Sequence, residues 1–180
     1  MSTVVIDTNV LKVANRGHSD VSGPCVAECV KRLLAVRSAG TVVVDDGWRI
    51  FREYTDNLKA TQQPGVGDEF VKWLLQNRAN GQRVHQVPLD ETAENEFLQF
   101  PDAALQAAFD PKDRKFVAAA AAHADRPPII QAADGKWVGW WAALHQVGIQ
   151  VQFPCPVDIK GFYRSAFPGV AVPALPDEAP

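Results

Sequence analysis

A chain of 180 residues with 47% hydrophobic and 22% charged residues is long enough to bury about 70% of its unfolded surface around one core, which excludes wholesale disorder. A net charge of −3 excludes bulk basicity as a ground for nucleic-acid binding, so any such activity has to rest on local clusters. The longest apolar run, Phe116 to Ala122, holds seven residues, five of them alanine, well short of the ~20 that a membrane-spanning helix needs; a soluble chain with no membrane partner is expected.

The first residues, Met1-Ser2-Thr3, lack the basic region and apolar core of a signal peptide, so a cytoplasmic protein is expected. Thr3 to Ile6 (TVVI), ending at Asp7, has the β-branched pattern of a strand buried on both faces. A helix-length segment follows. Gly23-Pro24 opens a helix over Cys25 to Ser38, with Val26, Val30, Leu33 and Leu34 at helical spacing and Gly40 as its stop. Cys25 and Cys29 lie one helical turn apart, but no second cysteine pair or suitably spaced histidine completes a zinc site. Three cysteines cannot all pair within one chain, so reduced core thiols in a reducing compartment are expected.

Thr41 to Val44 (TVVV) is a second buried strand, closed by Asp45-Asp46-Gly47. Two helices are expected next, Trp48 to Lys59 and about Asp68 to Arg78, and then a strand over Arg83 to Val87. Pro88 to Phe109 reads as polar helix and loop. Asp110-Pro111 is a good helix start, Asp as N-cap and proline in the first turn, for a helix to about His123. Ile129-Ile130 is a fourth strand with Asp134 in its tail, Lys136 to Val147 a helix ended by Gly148, and Ile149 to Phe153 a fifth strand. Trp137, Trp140, Trp141 and Leu144 share helical spacing, which favours core packing over base stacking. Strands alternating with helices predict an α/β fold with a parallel sheet of about five strands over residues 1–153. Residues 154–180 hold six of the thirteen prolines and read as an irregular strap or tail.

Ligands of a parallel α/β sheet bind beyond the carboxyl ends of its strands. Asp7 and Asp134 each follow a strand and project at the same edge. Asp113 shares a helical face with Phe116, Val117 and Ala120, which sets a carboxylate at the start of an apolar face. Glu53 falls away from Trp48, Phe51, Thr55 and Leu58 on a helical wheel, so periodicity alone leaves it in solvent. Taken singly, Asp7 and Asp134 are each explained as a helix N-cap, and Asp113, at the third position after Asp110, as a capping-box partner. Together they repel one another unless a cation sits among them, and oxygen-only ligands suit Mg²⁺ or Mn²⁺.

The segments VVIDTNVL, DDGWRIFREY, DPKDRKFVAAAAAH and IIQAADGKW, carrying Asp7, Glu53, Asp113 and Asp134, resemble the four signatures of PIN-domain ribonucleases over about residues 3–153. The chain departs from many of those relatives in having Ala132 and Ala133 where a hydroxyl residue precedes the fourth acid. The resemblance implies a doubly wound three-layer α/β/α sandwich and a metal-dependent endoribonuclease acting on single-stranded RNA. It also implies, often, the toxin of a toxin–antitoxin pair with an antitoxin partner, and commonly a homodimer. Carried over residue by residue, Asp7, Glu53, Asp113 and Asp134 are the catalytic, metal-binding acids, with Thr8 and Asn9 as polar neighbours. Asp7 and Asp113 are expected to hold the principal Mg²⁺ or Mn²⁺, and Glu53 and Asp134 to serve a second ion or orient the water.

Cations cluster beside the same acids: Lys12 and Arg16, Arg49 and Arg52, Lys112, Arg114 and Lys115, and Lys136. They form a candidate phosphate-tracking rim. His18, His85, His123 and His145 are scattered, and neither GxxxxGK[ST] nor GxGxxG occurs, which leaves histidine-activated nucleophiles and nucleotide cofactors of those kinds without support. A phosphotransferase of the haloacid dehalogenase type needs a second aspartate two positions after the first, where this chain has Asn9. The competing non-enzyme reading is a PIN-like module that binds RNA or protein without cutting.

Overall fold

The computed structural model describes residues 2–58 and 63–178; Met1, the expected helix end at Lys59 and the last two residues of the expected tail lie outside them. Five strands form one sheet in the order β3-β2-β1-β6-β7, every neighbouring pair parallel. They are β1 (Thr3–Ile6), β2 (Thr41–Asp45), β3 (Val84–Val87), β6 (Ile129–Ile130) and β7 (Val151–Gln152). The two remaining strands, β4 (Glu91–Ala93) and β5 (Glu96–Phe97), make a separate antiparallel hairpin. All five residues of β2 are buried, which a strand achieves only when helices cover both faces of its sheet. The result is an α/β protein built as a three-layer α/β/α sandwich.

The expected helices are present with small shifts of boundary. They are α1 (Thr8–Ala14), α2 (Gly23–Ala39), α3 (Arg49–Asn57), α4 (Val66–Gln76), α6 (Arg114–Ala122) and α7 (Lys136–Gln146). The stretch from Pro88 to Phe109 folds as the β4–β5 hairpin and the short helix α5 (Ala103–Ala108). Helix α6 starts four residues after Asp110: the Asp110 carbonyl accepts from Asp113 N and its carboxylate from Lys112 N, which closes a turn rather than a helix start. Ala118, Ala119 and Ala120 of α6 lie fully buried over β1, β2 and β6, where small side chains let helix and sheet approach closely. Trp137 is wholly buried in the core, as its spacing predicts.

Two expectations are corrected. The segment after Cys155 is not irregular throughout: Pro156–Ala166 forms helix α8, with proline in its first turn, and Ile159 and Tyr163 pack on Val138 of α7. The chain then returns as a strap, with Leu175 buried in the same small cluster and Trp141 Nε1 donating to Ala174 O at 3.0 Å. The cysteines are not all reduced, since Cys25 and Cys155 form a disulfide and Cys29 is the one free thiol. The pairing was hidden because it joins residues 130 positions apart, a distance that only the tertiary structure closes. Among the described residues, no helix is long and apolar enough to cross a membrane.

Candidate active site

Strand order reverses beside β1, with β2 and β3 on one side and β6 and β7 on the other. A parallel sheet opens a crevice at such a point, outside the carboxyl ends of its strands. Asp7 leaves the end of β1 as the N-cap of α1, accepting from Asn9 N through Oδ1 at 2.8 Å, and only 1% of it is exposed. Asp134 follows β6 and accepts from Lys136 N through Oδ1 at 3.0 Å. Asp113 stands at the mouth of α6 and accepts from Trp137 Nε1 through Oδ2 at 3.2 Å. Each aspartate thus has one oxygen anchored by a donor, local for Asp7 and Asp134 and from α7 for Asp113. Among the described residues no donor reaches the other oxygen of any of the three.

Glu53 reaches the site from α3, against the wheel-based expectation of solvent exposure. The fully buried residues of α3 are Ile50 and Tyr54, with Phe51 packed half-buried beside them, so the core face is not centred on the wheel drawn through Trp48, which sits at φ 63° in the left-handed region and lies outside the helix. With the face so rotated, Glu53 lies beside the core. Thr8 Oγ1 donates to its Oε1 at 2.6 Å, and the Lys115 ammonium pairs with its Oε2. Two contacts hold α3 in place. Asp45, fully buried at the end of β2, accepts from Arg49 N at 2.9 Å and Ile50 N at 2.8 Å, and Tyr54 Oη donates to Ile6 O, next to Asp7.

The acids raise one another's proton affinity. Burial, then repulsion from Asp113, keeps the Asp7 carboxyl well above the usual carboxylate range. Burial, then Asp134, pushes Asp113 up to about 7, and burial likewise raises Asp134. Tyr54 is raised by burial and by the charge of Asp7. Such shifts mark carboxylates held together with too little positive charge among them.

An open cleft of about 600 Å³ lies over Glu53, Asp113 and Lys115, with Arg52 and Lys112 on its lining and Glu91 of the hairpin along one side. Asp7, which is buried, and Asp134 are not part of that lining. Four of the eight cations of the expected phosphate-binding rim are already committed. Arg49 pairs with Asp45 and Glu91, Lys136 with Asp110 at 2.7 Å, and Lys115 with Glu53. Arg114 is buried and donates to the carbonyls of Phe109, Asn95 and Ala107. Asn9 contributes its backbone N–H and Thr8 its hydroxyl inside the acid cluster. Arg52 and Lys112 stay closest to the expected role, the Arg52 guanidinium donating, among the described residues, to the Gly47 carbonyl at 3.3 Å.

Two features escaped the sequence. Gln131, fully buried after β6, accepts from Ala133 N at 3.0 Å and Asp134 N at 3.3 Å, and so holds the turn that a hydroxyl residue would otherwise shape. His85 and His123 are not scattered: Nδ1 of one lies 2.7 Å from Nε2 of the other. A glutamine before two alanines was the only signal for the first, and the second joins a strand to a helix end with no local signal.

Could the acids hold a metal? Their donors are all oxygen, as Mg²⁺ and Mn²⁺ prefer. Mg²⁺ keeps several waters and takes one or two carboxylates rather than a closed protein cage, a demand that three half-anchored aspartates meet. Among the described residues the one group of three whose donor atoms all lie within 4.8 Å of one another is Cys25, Cys29 and Cys155; the carboxylates stand further apart, as uncompensated like charges do. No family model, curated protein or solved structure matches this chain.

Proposed function

We propose that the chain is a divalent-metal-dependent endoribonuclease of the PIN-domain kind, hydrolysing phosphodiester bonds in single-stranded RNA. The observation that carries this reading is that Asp7, Asp113 and Asp134 lie near enough beside the strand-order reversal to raise one another's proton affinity, each with one anchored oxygen and one that no donor among the described residues reaches. Those three residues would hold Mg²⁺ or Mn²⁺, which when bound supplies an activated water and charge stabilisation at phosphorus. Glu53, engaged through both oxygens, orients Thr8 and Lys115. Gln131 sets the turn of Asp134. Arg52 and Lys112 track the phosphate chain along the cleft. If the protein is the toxin of a toxin–antitoxin pair, its antitoxin covers this cleft. A homodimer accords with the resemblance, and sedimentation as a monomer at micromolar concentration would remove it.

One observation favours a second reading, a PIN-like module that binds RNA or protein without cutting: Glu53 already has a cation in Lys115. Cleavage of a panel of single-stranded and structured RNAs in Mn²⁺, Mg²⁺ or EDTA separates the two. Wild type is expected to cut only with metal, and Asp7→Asn to lose cutting while keeping its fold. An active Asp7→Asn protein overturns the site; binding without cutting by a folded wild type selects the second reading.

A further inference from the structure

We propose that the Lys115 ammonium is a resident cation of the acidic site, standing where a second divalent ion would otherwise serve Glu53, so that each chain binds a single Mg²⁺ or Mn²⁺. The inference rests on the nuclease reading above and concerns how that site is built. Lys115 is the second residue of α6, in the stretch Arg114 to Ala120 that is buried throughout. Its side chain is 9% exposed, its ammonium pairs with Glu53 and donates to Lys112 O, and it lies 5.1 Å from the centre of the Phe116 ring. An ammonium so far withdrawn from water persists only where fixed negative charge compensates it. Surface lysines are not held this way.

The distribution of free oxygens points the same way. Among the described residues, Asp7, Asp113 and Asp134 each keep one carboxyl oxygen without a donor, whereas Glu53 keeps none, Oε1 accepting from Thr8 and Oε2 pairing with Lys115. A divalent ion therefore finds donor-free oxygens among the three aspartates, whereas at Glu53 it would share an oxygen with Thr8 or with the Lys115 ammonium, whose charge repels it. Charge sets the limit. Fully ionised, the four acids carry −4 and Lys115 brings the site to −3; one divalent ion leaves −1, and a second would make the site positive with an ammonium beside it. The third N–H of Lys115 has no acceptor among the described residues and borders the cleft. It is placed to donate to a phosphoryl oxygen there, the electrostatic task that a second metal performs in two-metal sites.

Titration of the full-length protein with Mn²⁺, read by the electron paramagnetic resonance signal of the free ion, tests this without reference to cleavage. Wild type is expected to bind one Mn²⁺ per chain and Asp7→Asn none. Lys115→Met, close in volume but uncharged, is expected to bind two, and Lys115→Arg, which keeps the charge, one. Melting curves and circular dichroism establish that each variant is folded. Two Mn²⁺ per wild-type chain overturns the proposal and leaves the nuclease reading standing, and needs no variant. A folded Lys115→Met protein that still binds one also overturns it. A folded wild type that binds no Mn²⁺ fails at the earlier step, the metal-dependent reading itself.

Discussion

One oxygen of Asp7 caps α1, and the other carries no hydrogen bond from any described residue. Capping and site chemistry are therefore not alternatives for this residue, because a carboxylate has two oxygens and a cap needs one. The same division holds at Asp134. The shared charge has a consequence for stability. The folded-state value of Asp113, about 7, lies above the ordinary carboxyl value near 4 of an unfolded chain, so between those pH values the folded chain retains a proton that the unfolded chain has released. Stability falls as pH rises through that window, and the upward shifts of Asp7 and Asp134 act in the same direction. His123, lowered by burial and then by His85, works the other way as pH rises toward 6.5, so the comparison is made against a variant. Metal-free wild type is expected to lose more Tm between pH 5 and pH 7 than Asp113→Asn, and millimolar Mn²⁺ to restore wild type at pH 7; equal losses would show that Asp113 is not charge-stressed. Gln131→Ala leaves two backbone N–H groups of the Asp134 turn without their acceptor. A cost of about 1–3 kcal/mol is expected in denaturant unfolding, together with weaker Mn²⁺ binding.

Helix α3 illustrates how an element carries a residue to a site. Its start is capped not by its own N-cap residue, the left-handed Trp48, but by Asp45 from the end of β2, with two backbone N–H bonds. Asp45→Ala is expected to cost about 1–2 kcal/mol by the usual scale of lost caps and to weaken Mn²⁺ binding through displaced Glu53 and Lys115. Unchanged melting would show that the cap is redundant. Helix α8 has a comparable role on the other side. A side-chain carbon on Gly135 would stand 2.4 Å from Tyr163 N, so the residue after Asp134 is glycine because α8 packs directly on it. The Cys25–Cys155 disulfide clamps the start of α8 to α2. Reduction, or Cys155→Ser, is expected to cost about 2–5 kcal/mol of stability, as for other disulfides closing long loops, and reductant is expected to leave the melting of Cys155→Ser unchanged. Burial pushes the Cys29 thiol up to about 12, so Cys29 is a poor nucleophile against that bond at neutral pH.

Across the whole molecule, four of the eight lysines and arginines beside the acids are committed to internal contacts, and Lys12 and Arg16 do not line the cleft, so RNA binding is expected to depend on salt only modestly. With Arg52 and Lys112 as the principal phosphate contacts, the slope of log affinity against log salt for a single strand is about −1.4. A slope steeper than about −4 would require cations that the structure shows engaged to be released on binding. The chain by itself determined the sheet, because runs such as TVVI and TVVV can be buried on both faces only as central parallel strands. It also placed Asp7 and Asp134 at one edge, since Asp7 directly follows such a strand and Asp134 lies in the short turn after another, and Asp113 at the head of an apolar helix face. Tertiary structure decided the rest. Glu53 depended on a left-handed residue that rotates α3 away from the wheel drawn through Trp48. Lys115 and Arg114 read as surface cations because nothing local announces that α6 is buried all round. The Cys25–Cys155 bond, the His85–His123 contact and the clamp of α8 join positions far apart in the chain. Periodicity reports which face of an element is apolar, but which charges meet across elements is set by packing, and at this site those meetings determine which oxygens remain free.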